Sequence, residues 1–145
     1  MTANELNIEV KDTVFNPGLP RSHPDSKVHV HTEDEGDTHY YKVWLYLEGN
    51  DLPYAESVTY TLDETFPNPI RTVRRTPSNP NCQLVIWTWG LFTVKTTIVD
   101  KKGFTYEVAH ELSYDRELPE EGERYVYEEK EPSSSARPTL VSYSS

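Results

Sequence analysis

From residue 40 to residue 48 the chain alternates two sets of side chains without a break. Tyr41, Val43, Leu45 and Leu47 fall on one face of an extended strand, and Tyr40, Trp44 and Tyr46 on the other. Successive strand side chains point to opposite faces, so both faces of this strand are expected to be covered. Period two recurs at Leu6, Ile8 and Val10, at Val28 and Val30 within residues 27–32, and at Val58, Tyr60 and Leu62 within residues 56–62. Further strands are expected over residues 84–87, 92–99 and 104–114. Between the last two, Asp100-Lys101-Lys102-Gly103 supplies a turn with a glycine free to take a positive φ, which predicts a hairpin. No strongly patterned segment repeats at i, i+3, i+4 and i+7, so no core helix of more than about three turns is expected. Ten Tyr, four Phe and three Trp beside eleven Pro and one Met suit pleated, half-buried surfaces. Seven or eight short strands with Pro- and Gly-marked connections predict an all-β antiparallel sandwich.

A chain of 145 residues is long enough for one core without disulfides or metal. Residues 1–26 read as an N-terminal strand and a Pro-rich loop (16–24) of the same domain, and residues 27–116 as the sandwich core. Seven glutamates between Glu117 and Glu131 precede Pro132-Ser133-Ser134-Ser135. Residues 117–145 are therefore expected to form a mobile acidic tail, dispensable for folding beyond about Glu120, with Tyr125-Val126-Tyr127 as its docking point. A formal charge of −10 argues against a surface that tracks nucleic-acid phosphates. No stretch has the roughly 18 apolar residues of a membrane span, and residues 1–10 lack a basic patch followed by an apolar run, so no membrane partner is expected and the reading is cytoplasmic. The oligomeric state is not legible.

Little here suggests catalysis. There is no Gly-rich phosphate loop, nucleophile elbow or dinucleotide fingerprint, so no cofactor and no enzymatic activity are expected. Cys82, the only cysteine, excludes an internal disulfide and reads as an incidental loop thiol. His29 and His31 share a strand face, and a turn at Glu33-Asp34-Glu35-Gly36-Asp37 can bring His39 back beside them. Three imidazoles would suit zinc, but spacing alone does not supply converging geometry, and solvent-facing positions opposite Val28 and Val30 account for them equally.

Two aromatic loops stand out. Leu62-Asp63-Glu64-Thr65-Phe66-Pro67-Asn68-Pro69 ends a strand with a phenylalanine between a hydroxyl residue and two prolines. Trp87-Thr88-Trp89-Gly90-Leu91-Phe92 leads into the next strand with a glycine beside a large ring. At one end of a sandwich such loops can build a slot, or their rings can simply plug the end of the core. These residues, with the upstream Tyr40-Tyr41-Lys42-Val43-Trp44-Leu45-Tyr46-Leu47-Glu48-Gly49, resemble the YEATS family over about residues 28–114, and its prokaryotic branch most. The family pattern is Leu-His-x-Ser-Phe-x-x-Pro followed by Gly-Trp-Gly-x-Phe or Gly-Tyr-x-x-Phe.

The resemblance implies an immunoglobulin-like sandwich that reads acylated lysine on a peptide, as a sensor or adaptor in a bacterial signalling or defence system. It implies that Phe66 and Trp89 sandwich the acyl amide, that Phe92 closes the slot, that Thr65 bonds the amide and that the Trp89 backbone N–H meets the acyl oxygen. Asp63 stands where the family has histidine, and Thr88 where it has glycine, so with Gly90 the rim is expected to be more acidic and more crowded. If Phe66 and Trp89 are such a pair, both rings are expected to stay partly exposed, about twice the usual ~3.5–4 Å contact separation apart, with the Thr65 hydroxyl in the gap. The alternative is a structural interaction adaptor without an acyl-lysine pocket.

Overall fold

The computed structural model describes residues 6–32, 39–120 and 124–128. Among these the chain forms nine strands: β1 (Glu9–Thr13), β2 (Val28–Thr32), β3 (His39–Glu48), β4 (Ala55–Thr61), β5 (Ile70–Arg74), β6 (Leu84–Thr88), β7 (Thr93–Asp100), β8 (Thr105–Glu111) and β9 (Tyr125–Glu128). Two single 3-10 turns, Leu52–Tyr54 and Tyr114–Glu117, lie wholly among the described residues, which hold no α-helix. One sheet is built on β3, which pairs with β1 and β2 along one side and β6 along the other, with β9 beyond β2. The second runs β5-β4-β7-β8. The two sheets enclose one core, an immunoglobulin-like β-sandwich.

The long alternation sets this layout. Val43, Leu45 and Leu47 are fully buried against Val58, Tyr60, Ile86, Val94 and Ile98. The opposite face of β3 is also covered, since Tyr40 and Trp44 are buried and Lys42 Nζ sits 5.2 Å from the Trp44 ring centre. Tyr60 is fully buried in the core, and its hydroxyl donates to the Cys82 carbonyl at 2.7 Å, which satisfies an otherwise costly buried group. The β7–β8 hairpin forms as expected, with Gly103 at φ +93. Gly49 has a stricter role after β3: at φ +144, a Cβ there would meet the Asn7 carbonyl oxygen at 2.2 Å.

Several expectations need correction. The N-terminal strand is shifted, since Leu6 and Ile8 precede a pairing that continues to Thr13. β8 stops at Glu111, and Tyr114 belongs to a 3-10 turn. β5 was not foreseen; it is an edge strand whose residues are all exposed or half-buried, so it lacks the apolar alternation that betrays the others.

Glu117, the first residue of the expected tail, is bonded to the N-terminal segment. Glu117 accepts from the Thr13 hydroxyl (2.8 Å), the Val14 N–H (3.0 Å) and Arg21 (2.9 Å). β9 then joins β2 in parallel, an exception in an otherwise antiparallel sandwich. The expected docking point at residues 125–127 is used, with the Tyr125 hydroxyl donating to the Pro119 carbonyl and Arg124 to the Ser26 carbonyl. Tyr-x-Tyr alternation prevails over the acidic composition around it. The turn at 33–37 and residues 129–145 of the expected tail lie outside the described residues.

Candidate functional site

The loop after β4 is fixed by its own side chains. The Leu62 N–H donates to the Pro69 carbonyl at 2.8 Å and closes the loop. Inside it, Asp63 Oδ1 accepts from both the backbone N–H (3.0 Å) and the hydroxyl (2.9 Å) of Thr65, and the Phe66 N–H returns to the Asp63 carbonyl. Asn68 takes φ +50, a left-handed conformation that asparagine tolerates between two prolines. Arg71 on β5 holds the descending limb by donating to the Pro67 and Asn68 carbonyls, each at 2.9 Å.

The facing loop, between β6 and β7, is shaped by Thr88. Its side chain is buried, and its hydroxyl donates to the Gly90 carbonyl (2.9 Å) while accepting the Gly90 N–H (3.3 Å). Thr88 therefore folds onto its own turn, and the crowding expected from a threonine in place of glycine is taken up there. Beyond it Trp89 projects with 49% of its surface exposed, and Leu91 is 53% exposed. Phe92 is half-buried, its carbonyl accepting the Leu112 N–H at 3.1 Å.

All seven residues singled out from the sequence, Asp63, Thr65, Phe66, Thr88, Trp89, Gly90 and Phe92, line one cleft of about 50 Å³, and Leu91 joins them. The aromatic arrangement differs from the expected pair of matched, part-exposed rings. Phe66 is only 4% exposed and meets Phe92 with ring centres 5.2 Å apart at 57°. Phe66 and Phe92 thus form a tilted pair at the base, and Trp89 stands at the mouth. The asymmetry has a simple origin: Phe66 is folded back by the Asp63 turn onto the core, whereas Trp89 lies outside the core cluster and half of it is exposed. The hydroxyl of Thr65 is turned to Asp63. The volume is that of about three or four waters.

Sequence reasoning missed Leu91 and Arg71. Leu91 was legible as an apolar residue in a glycine loop; Arg71 was not, because its importance lies in a register that only the β4–β5 pairing reveals.

The other candidates stand apart from this cleft. Cys82 is fully buried, and burial pushes its thiol up to about 11 in spite of Arg75, which suits an inert side chain. His31 is buried with its ring 6.0 Å from Tyr40, and His39 lies 6.5 Å from Tyr41. No group of three or more His, Cys, Asp or Glu among the described residues is placed to hold a metal ion. One cluster escaped the sequence reading: Asp12, whose side chain is fully buried, takes His110 Nε2 at 2.6 Å and the Ser113 N–H (3.0 Å) and hydroxyl (3.3 Å). Serine and histidine both bond the carboxylate, so this is a clasp between β1 and the end of β8, not a serine activated by a base.

Comparison with known proteins bears on the whole arrangement. The family model for the prokaryotic YEATS domain matches residues 41–113, a span from β3 to the end of the β8 clasp that includes both aromatic loops. Among solved structures, the Yaf9 YEATS domain recognising an H3K122suc peptide is 16% identical, covering 77% of this chain and 78% of that one at a TM-score of 0.48. The Yaf9 YEATS domain bound to H3K27ac is 18% identical, with 73% of each chain covered and a TM-score of 0.44. No curated protein matches. The matched span is half of the 145 residues and carries both loops of the cleft, and the chain belongs to the prokaryotic YEATS domain family.

Proposed function

We propose that this domain is a non-enzymatic recognition module whose cleft takes the acylated side chain of a lysine in a peptide of a protein partner. The observation that carries the reading is the convergence of three unlike groups on one cleft: a tilted Phe66–Phe92 pair, a half-exposed indole and a pre-set hydroxyl. A planar, neutral amide stacks on aromatic faces and can exchange hydrogen bonds with a hydroxyl and a backbone N–H, here those of Thr65 and Trp89. An unmodified lysine would have to shed the hydration of its ammonium group on entering, which makes acylation the discriminating feature. Such a reader serves as a sensor or adaptor in a bacterial signalling or defence system.

A second reading has its own support. Phe66 is buried deeply enough to be a core plug, and the cleft is small, as befits a structural adaptor without an acyl-lysine pocket. Titration with matched acetyl-lysine, crotonyl-lysine and unmodified peptides separates the two. Saturable binding of the acyl forms alone, abolished by Trp89→Ala in a folded protein, supports the reader. Binding indifferent to acylation or to Trp89 supports the adaptor.

A further inference from the structure

Both hydroxyls of the cleft have their proton committed, that of Thr88 to the Gly90 carbonyl and that of Thr65 to a carboxylate. Asp63 Oδ1 takes that proton at 2.9 Å and the Thr65 backbone N–H at 3.0 Å, so the hydroxyl oxygen is left with lone pairs to offer. A hydroxyl that donates to a carboxylate is held firmly, because charge-assisted bonds are stronger than neutral ones. The polar wall made by residues 63–65 therefore presents an acceptor with a negative charge immediately behind it. Among the described residues no basic side chain lines the cleft to offset that charge, and the Arg71 guanidinium is occupied with the Pro67 and Asn68 carbonyls.

We propose that Asp63 is the specificity-determining residue of the cleft, restricting it to acyl groups joined through a secondary amide and carrying no charge of their own. The inference rests on the acyl-lysine reading above and narrows it. An amide N–H finds a lone pair on Thr65 Oγ1. An ester in the same place brings a second acceptor oxygen and forfeits that bond, a loss of roughly tenfold in affinity. An acyl chain ending in a carboxylate adds a second negative charge to a cleft that already holds Asp63, and like-charge repulsion at such a partly solvated site lowers affinity by roughly another tenfold. Short neutral chains such as acetyl or crotonyl pass both filters.

The test uses the full chain and four peptides of one sequence, measured by calorimetry. They carry Nε-acetyl-lysine, its ester analogue, Nε-succinyl-lysine, and the terminal amide of the succinyl group as a neutral control of equal size. The expected result is that acetyl-lysine binds at least tenfold tighter than the ester, and the neutral control at least fivefold tighter than succinyl-lysine. In Asp63→Asn, which keeps an oxygen able to accept from Thr65, the gap between succinyl-lysine and its control should close to within twofold. Equal affinity of succinyl-lysine and its control in the unaltered protein, or a gap unchanged by Asp63→Asn, would overturn the assignment of Asp63 while leaving the reader function standing. Absence of binding by every amide peptide would instead remove the acyl-lysine reading, and this inference with it.

Discussion

Phe66 and Trp89 face the same cleft, yet their truncation should cost unequal amounts of stability. Phe66 belongs to the core, packed on Phe92, and emptying a buried aromatic site costs about 3–5 kcal/mol. Trp89 is 49% exposed. Of the up to about 250 Å² that a tryptophan can bury, roughly half is removed from water here, worth about 3 kcal/mol at ~25 cal/mol/Å². A denatured chain that is itself partly compact lowers this to about 2 kcal/mol, and solvent refills the space so that no cavity is left. Urea unfolding followed by far-ultraviolet circular dichroism should therefore rank Phe66→Ala as the more destabilising by at least about 1 kcal/mol, with Trp89→Ala cooperatively folded. Equal losses, or a Trp89→Ala protein that fails to fold, would refute the division of labour between a structural base and an exposed mouth.

Three further outcomes follow from the geometry. Asp12→Ala leaves His110 and the Ser113 N–H without their buried acceptor and should cost about 1–3 kcal/mol in chemical denaturation. Burial alone would raise the Asp100 carboxyl, but the Tyr106 hydroxyl and the Phe104, Lys102 and Gly103 N–H groups outweigh it and hold it below its ordinary value. Its contribution to stability is present above the unfolded carboxylate range, near ~4, and is lost as pH falls through the lower folded value, so Asp100→Asn should flatten the acid limb of a stability–pH profile. Cys82, fully buried with its thiol raised to about 11, should resist a thiol reagent at pH 8 in the folded protein and react fully in denaturant.

The parts of the fold that announced themselves are those in which one strand face is apolar and buried. β3 and β4 are legible because Val43, Leu45, Leu47, Val58 and Tyr60 repeat every second residue and all reach the core. β5 has only Val73 against the core, and β9 sits in an acidic run, so local composition pointed away from both. Parallel pairing of β9 with β2 is a tertiary choice that no local pattern encodes. For the cleft, the residue types were legible and their burial was not. Whether Phe66 faces solvent or core depends on how Asp63 turns the chain, and Thr88, at the position of a family glycine, folds its hydroxyl back onto Gly90. The clasp of Asp12, His110 and Ser113 joins residues about a hundred positions apart and was invisible for that reason.

The central claim is that an acyl group lodges between the Phe66–Phe92 pair and the Trp89 indole. The most direct test is an isotope-filtered nuclear Overhauser measurement on the protein with a peptide carrying acetyl-lysine labelled at its methyl carbon. Cross-peaks from that methyl to the rings of Phe66, Phe92 and Trp89 are the expected result. Saturable binding in which the methyl contacts none of those rings, or no binding at peptide concentrations well above the millimolar range, would contradict it.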